Sequence, residues 1–268
     1  MSMTINTNLA SLNAQRNTST SQGALSTAMQ RLSSGLRVNS AKDDAAGLAI
    51  GQRMDAQARG MNVAIRNAND GISMAQTADG ALATVSDALQ RMRELAVQAA
   101  NGSNGTSDRV NLDAEYQQLS AEITDIAAQT KFNGTAVIGA GAGAQVFQVG
   151  ANVGDVLTVT TNAVTTVAGN LLTAASANTA ITALDSKLDT VNTDRAAYGA
   201  AMNRFGFASS NLQSASENQS AARSRIMDAD FAAETANLSR ANILQQAGNA
   251  MVAQANQQPQ QVMALLRN

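Results

Sequence analysis

The sequence predicts a mainly α-helical fold, an elongated antiparallel helical rod or coiled coil with one small β-hairpin. Apolar residues recur at alternating steps of three and four over most of the chain, which is the spacing of a helical seam. One proline in 268 residues leaves almost nothing to interrupt a helix. Aromatic residues make up only 3% of the chain, so close packing of small side chains between helices is favoured over a thick core.

Both chain ends carry such a seam, and neither holds an acidic residue, since all 20 acids lie between Asp43 and Glu234. A short amphipathic helix cannot bury its stripe alone. The two ends are therefore predicted to bury their apolar stripes against each other or against neighbouring copies, which indicates assembly. The alternative is that the ends are disordered tails, which their Asn, Gln and Ser content favours. The stripes are Ile5, Leu9, Leu12, Leu25, Met29, Leu32 and Leu36, and Leu238, Ala241, Leu244, Gly248, Met251, Ala255, Val262, Leu265 and Leu266.

Two helices are predicted next. The first covers 43–101, and the three glycines within its seam, Gly60, Gly71 and Gly80, each cost about 1 kcal/mol relative to Ala. A turn at 101–105 ends it. The second covers about 108–130, with Ser107 or Asp108 as N-cap, and Asn133-Gly134 ends the run.

The segment 134–173 is richer in Gly, Val and Thr. Residues 146–149 and 156–161 are predicted to pair as a hairpin. The glycines at 139–143 lack the Gly-Lys-Ser/Thr ending of a phosphate loop and indicate a flexible connector. From about Ala174 a long helix returns, with Arg195 in one seam position, and it is expected to lie antiparallel to the helix over 43–101.

Composition argues against several kinds of function. Without Cys or His the chain lacks the usual nucleophile, general base and metal ligands, so we expect no enzyme, no cofactor and no metal site. A net charge of −2 gives no basis for nucleic-acid binding. No apolar run is long enough for membrane insertion, and the first residues lack a secretory signal. Asp43-Asp44 is expected to start a helix rather than to bind a metal.

Six blocks, in the same order along the chain, resemble those of the bacterial flagellins. They are Gln30–Leu48, Gln90–Gln98, Phe147–Asn152, Ala222–Asp230, Ile243–Gly248 and Gln260–Arg267. The resemblance implies a short flagellin without large central inserts, built from discontinuous domains to which both chain ends contribute. Residues 1–42 and 229–268 would form an inner coiled-coil domain. Residues 43–133, the hairpin segment 134–173 and the helix 174–228 would form the rod domain.

The same resemblance implies a structural subunit that polymerises with itself into the extracellular flagellar filament for swimming motility. Its implied partners are the flagellar export apparatus, a secretion chaperone, the filament cap and the hook-associated proteins. Such a chain would be exported unfolded and would become ordered on assembly at the tip. The absence of Cys and the scarcity of Pro and aromatic residues would ease that passage.

The resemblance also implies recognition by host flagellin receptors. An N-terminal epitope segment would include Arg37, Asp43, Asp44 and Gly47, and a second face would include Gln90, Arg91, Leu95, Gln98 and Glu115. The face has a simpler interpretation as a solvated surface with ordinary ion pairs, or as a contact with a neighbouring subunit. The alternatives to a filament subunit are a hook–filament junction protein, a coiled-coil adhesin that does not polymerise and, last, an enzyme.

Overall fold

The computed structural model describes residues 7–266, with side chains described as far as residue 257. Over that range the chain is mainly helical and contains two short antiparallel strand pairs, which confirms the predicted fold class. The elements are α1 (Leu9–Ser34), α2 (Ala45–Ala100), α3 (Thr106–Gln129), β1 (Lys131–Phe132), β2 (Thr135–Ala136), β3 (Ala144–Gln148), β4 (Val156–Thr160), α4 (Ala174–Met227) and α5 (Phe231–Leu266).

The chain divides into two compact units. The first combines both chain ends, up to Ala56 and from Gln219 onwards, and the second holds residues 57–218. Both α2 and α4 contribute to each unit. The domain limits that the resemblance implied, at 42/43 and 228/229, stay a prediction.

The core of the second unit follows the predicted seam of α2. Every third or fourth residue from Ala68 to Ala99 is buried, and the buried residues of α3 and α4 pack against them. Ser216 Oγ of α4 donates to Asn62 Oδ1 of α2 at 3.3 Å, and Arg195 Nε donates to Asp79 Oδ1 at 2.8 Å. Since higher numbers on one helix face lower numbers on the other, α2 and α4 are antiparallel here, as predicted. The Asp79 pairing also explains how Arg195 occupies a seam position.

Two glycines of α2 have different surroundings. A Cβ on Gly71 would lie 2.6–2.9 Å from ring atoms of Phe205, which is fully buried. The Phe205 ring also meets Phe147 edge-on, with centroids 5.3 Å apart. Around Gly80 a Cβ would meet nothing within 4 Å. Close packing therefore accounts for Gly71 and leaves Gly80 unexplained within the chain.

The turn between α2 and α3 is held by side chains. Arg109 Nε donates to the carbonyl of Ala99 at 2.9 Å and so satisfies a free acceptor at the end of α2. The prediction that Ser107 or Asp108 is the N-cap of α3 is wrong, because the helix begins at Thr106 with Gly105 as its cap. Asp108 instead reaches back from the first turn and accepts the Gly105 N–H at 3.0 Å.

A second hairpin, β1–β2, was not predicted. The helix α3 ends at Gln129, and Asn133-Gly134 lies beyond it as the two-residue turn that joins the strands. Both residues have positive φ, 48° and 82°, which is the conformation that such hairpin turns require. Asn133-Gly134, which is predicted to end the helix, therefore forms a hairpin turn beyond it.

The segment after this hairpin is packed in part, and the flexible connector expected at 139–143 stays a prediction. Val137, Ile138 and Leu171 are fully buried. Gly139 passes so close to the Ala127 carbonyl that a Cβ would collide with it. The predicted hairpin is present as β3–β4, in the register that places Phe147 opposite Leu157.

Candidate assembly surface and exposed polar face

In the first unit, α1 and α5 form an antiparallel pair that meets through small side chains. Among the described side chains, the buried positions of the pair are Ser11 and Ala28 on α1 and Glu234, Ala241 and Ala255 on α5. At Gly248 a Cβ would lie 2.5 Å from Thr18 Oγ1 and within 4 Å of its backbone. Glycine at this position therefore lets the two helices approach closely.

Polar contacts fix the register of this pair. Ser11 Oγ donates to Asn256 Oδ1 at 2.8 Å, and Asn8 Nδ2 donates to the carbonyl of Ala255 at 2.7 Å. At the other end of α1, Arg31 Nη1 lies 3.8 Å from the Glu234 carboxylate, whose side chain is largely buried. A sliding of one helix along the other would separate all three contacts.

Seven large apolar residues of the pair, among those whose side chains are described, are exposed over half or more of their surface. We call them the outward apolar set. Leu25, Leu32, Leu36 and Leu238 of the predicted stripes are half-buried instead. Ile5, Val262, Leu265 and Leu266 lie outside the residues whose side chains are described. The outward apolar set is Leu9, Leu12, Met29, Phe231, Ile243, Leu244 and Met251.

A groove of about 600 Å³ runs between the two helices. Leu244, Ala247 and Met251 form one wall, and Ala10, Ala14 and Asn17 lie on the other. The groove is lined by apolar and uncharged polar groups only. Burying it would therefore require no loss of ionic hydration.

The segment between α1 and α2 is tied to the end of α4. The Arg37 N–H donates to the Met227 carbonyl at 2.7 Å, and its Nη2 donates to the Ile226 carbonyl at 2.6 Å. The Ala229 N–H in turn donates to the Gly35 carbonyl at 2.9 Å. Arg37 thus satisfies carbonyls at the end of a helix, where a positive charge is also favoured.

The two aspartates of this segment have separate roles. Asp43 Oδ2 accepts the Ser40 N–H at 2.9 Å and its hydroxyl at 3.0 Å. These hydrogen bonds to Ser40 hold the pKa of the Asp43 carboxyl below its ordinary value, with Arg31 adding a smaller contribution. Asp44 Oδ1 accepts the Gly47 N–H at 2.8 Å, one turn into α2. Asp44 therefore starts the helix, as predicted.

The second predicted group of residues lies on α2 and α3. Gln90, Arg91, Gln98 and Glu115 are exposed, whereas Leu95 is 1% exposed and belongs to the core of the second unit. Arg91 pairs with Glu115 at 2.8 Å across the helices and with Glu94 at 3.0 Å along its own. The hydrogen bonds that Arg91 donates to Glu115, and then the one to Glu94, raise the pKa of Arg91. The exposed part of this group is thus polar, and Leu95 lies beneath it.

The described residues contain no cluster of three or more potential metal-ligating side chains. Over the same part of the chain, no helix combines the length and the apolar character needed to cross a membrane.

Comparison with known proteins gives a consistent result. Residues 5–142 match the model of the bacterial flagellin N-terminal helical region, and residues 181–266 match that of the C-terminal helical region. A flagellin of Halalkalibacterium halodurans is 47% identical over 272 residues, covering 99% of this chain and all of that protein. A flagellin of Xenorhabdus nematophila is 41% identical over 313 residues, with both chains fully covered.

Among solved structures, the crystal structure of Bacillus cereus flagellin is similar to this chain with a TM-score of 0.51 and 37% identity. It covers 55% of this chain, and 88% of that structure is matched. The alignment with the Halalkalibacterium relative, which spans 272 residues, identifies the present chain as a short form. The chain belongs to the bacterial flagellin family and is a structural subunit of the flagellar filament rather than an enzyme.

Proposed function

We propose that the outward apolar set and the groove between α1 and α5 form the polymerisation surface of this subunit. The observation that supports the proposal is the exposure of seven large apolar side chains on a helix pair whose own interface uses mainly small residues. A lone exposed apolar residue is normal on a protein surface, but seven on one helix pair indicate an interaction surface. Neighbouring copies of the pair would cover them in the filament.

The energy available from this surface can be estimated. Complete burial of a Leu or Met side chain contributes about 1.5–3 kcal/mol. Leu244 is 50% exposed and Met251 is 63% exposed, so covering the remainder contributes about 1 kcal/mol for each. Together these two side chains would lower the critical concentration for elongation roughly thirtyfold, since about 1.4 kcal/mol corresponds to a factor of ten.

The test is seeded elongation of the purified full-length chain. The double variant Leu244→Gln, Met251→Gln should keep its circular dichroism spectrum and raise the critical concentration by roughly thirtyfold. The control is Val153→Gln, which replaces a fully exposed apolar residue in the turn between β3 and β4 and should elongate normally. An unchanged critical concentration in the double variant contradicts the proposed surface. Failure of the wild-type chain to elongate on seeds contradicts self-assembly itself.

The export and assembly pathway belongs to the same proposal. The chain leaves the cell unfolded through the flagellar export apparatus with a secretion chaperone, and joins an extracellular filament below its cap, beyond the hook-associated proteins. No Cys, one Pro and 3% aromatic residues support such passage. Limited proteolysis tests whether the chain ends become ordered on assembly. Both ends should be digested in the free monomer, and both should resist digestion in the filament. Resistance of both ends in the free monomer contradicts this pathway.

A second proposed role is recognition of the released monomer by host flagellin receptors, through the exposed polar residues Gln90, Arg91, Gln98 and Glu115. Their exposure and the charged pair between Arg91 and Glu115 support it. Leu95 contributes by supporting these residues from the core. The segment with Arg37, Asp43, Asp44 and Gly47 is proposed as the N-terminal epitope.

A receptor-binding assay tests this second role. Arg91→Ala should weaken binding of the monomer and leave its melting temperature nearly unchanged, because exposed ion pairs contribute little to stability. Leu95→Ala should lower the melting temperature as well. Unaltered receptor binding in Arg91→Ala contradicts the proposed face.

A further inference from the structure

The chain contains three Asn-Gly pairs, which begin at Asn101, Asn104 and Asn133. The peptide N of the residue after an asparagine can attack the side-chain amide carbon, and glycine there offers the least steric resistance. The three pairs differ in how the structure holds the attacking nitrogen and the side-chain amide. From these differences we infer that Asn101 is a site of spontaneous deamidation and that the other two are protected.

At Asn101 the local geometry favours the attack. The Ser103 N–H donates to Asn101 Oδ1 at 3.3 Å, which turns the side chain over its own following peptide bond and towards the Gly102 nitrogen. The same hydrogen bond stabilises the negative charge that develops on Oδ1 as the carbon becomes tetrahedral. All three residues are exposed, and the Gly102 N–H has no acceptor among the described residues.

At Asn104 both reacting groups are engaged. Its Nδ2 donates to the Gln98 carbonyl at 2.5 Å. The attacking nitrogen would be that of Gly105, whose N–H donates to Asp108 Oδ2 at 3.0 Å at the start of α3. Attack therefore requires the loss of two hydrogen bonds, one of which caps a helix.

At Asn133 the backbone is fixed by the hairpin. Asn133 and Gly134 have φ values of 48° and 82°, and β1 and β2 pair on both sides of the turn. The rotation that brings the Gly134 nitrogen onto the side-chain carbon would break this turn. Pairing of the strands therefore protects Asn133.

The reaction uses water and no other reagent. Hydroxide removes the Gly102 N–H proton, the nitrogen bonds to Asn101 Cγ, and the Cγ–Nδ2 bond breaks with release of ammonia. Water then adds to one carbonyl of the cyclic imide and breaks its bond to nitrogen, which leaves aspartate or isoaspartate. The net change is asparagine plus water to an acid plus ammonia, without oxidation or reduction.

The product alters the turn between α2 and α3. A carboxylate at position 101 lies just after the last residue of α2, where the helix dipole disfavours a negative charge. Isoaspartate also adds one carbon to the backbone of a turn whose Asn101 carbonyl accepts from Arg109 Nη2 at 3.2 Å. The exposed surface near Gln98 thus changes its charge irreversibly with the age of the subunit.

The test follows the three pairs by peptide mass spectrometry while the full-length chain is incubated at mildly alkaline pH. Asn101 should lose its amide several-fold faster than Asn104 and Asn133, and isoaspartate should appear there. In denaturant the three rates should converge, because only the fold distinguishes the pairs. Equal rates in the folded chain, or the same order of rates in denaturant, overturn the inference.

A variant provides a second check. Gly102→Ala fits the structure, since a Cβ there meets nothing within 4 Å, and it should slow deamidation at Asn101 several-fold with the melting temperature unchanged. The rates at Asn104 and Asn133 should not move. An unaltered rate at Asn101 in this variant also overturns the inference.

Discussion

The contrast between Gly71 and Gly80 gives the sharpest test of the packing between α2 and α4. In a helix interior, replacing Gly by Ala stabilises by roughly 0.5–1 kcal/mol when nothing opposes it. At Gly80 a Cβ meets nothing within 4 Å, so Gly80→Ala should raise the free energy of unfolding by that amount. At Gly71 the Cβ would lie 2.6–2.9 Å from the ring of Phe205.

Phe205 cannot move aside cheaply, because it is fully buried and its ring meets Phe147 edge-on. Overpacking of this kind costs about 1–3 kcal/mol. After subtraction of the gain in helix propensity, Gly71→Ala should lower the free energy of unfolding by about 1 kcal/mol. The two variants should therefore differ by about 2 kcal/mol.

The assay is urea unfolding followed by circular dichroism. Both glycines lie in the second unit, so one transition reports on both variants. Phe205→Leu supplies the control: combined with Gly71→Ala it should show a coupling energy, whereas combined with Gly80→Ala the two effects should add. If Gly71→Ala and Gly80→Ala shift the midpoint equally, the argument from close packing fails.

The two buried tyrosines lead to the remaining predictions. Tyr198 Oη donates to the Val137 carbonyl at 3.3 Å, whereas the buried Oη of Tyr116 has no partner among the described residues. In urea unfolding, Tyr198→Phe should therefore lower the free energy of unfolding by about 1 kcal/mol. Tyr116→Phe should leave it unchanged or raise it, because no hydrogen bond is lost. Burial, with Asp194 adding, raises the pKa of Tyr198 to about 12 from 10.0. The folded chain keeps this proton while the unfolded chain loses it, so stability should be complete below pH 10 and fall as pH rises towards 12. Melting curves at alkaline pH check this, and a smaller alkaline loss of stability is expected in Tyr198→Phe.

The long helices could be predicted because their periodicity repeats many times. The seam of α2 from Ala68 to Ala99 is buried as its spacing indicated. One residue that departs from the apolar spacing does not obscure a pattern that repeats so often. Arg195 shows the limit of this reasoning, because its partner Asp79 is 116 residues away in sequence. Only the antiparallel register of α2 and α4 brings the two together.

The loops were predicted less well, because their structure depends on distant contacts. The glycines at 139–143 carry no sequence signal that indicates how closely Gly139 approaches the carbonyl of Ala127. The β1–β2 strands are two residues each, too short for any periodicity to show. Asn133-Gly134 signals either a helix stop or a hairpin turn, and the choice depends on whether the flanking residues pair.

The orientation of α1 and α5 could not be predicted for a different reason. Both helices carry a row of large apolar residues and a row of small ones, and hydrophobicity alone selects the larger row as the buried one. The structure buries the small row instead, since Ser11, Ala28, Ala241 and Ala255 are covered while Leu9 and Leu244 are exposed. A pattern shows that a helix has faces, but which face meets which partner depends on how closely the backbones approach.

This arrangement links the order of the chain ends to assembly. An interface of Ala, Ser and Gly removes little apolar surface from water, so the α1–α5 pair contributes less to stability than a seam of Leu or Ile would. The larger apolar row contributes only when another surface covers it, and covering it therefore stabilises the pair by mass action. Under the proposed function, the ends of the free subunit are the least stable part of the chain and the filament supplies the missing burial. Hydrogen exchange checks this: amides of α1 and α5 should exchange faster than those of α3 in the monomer, and equal protection would show that the pair needs no neighbour.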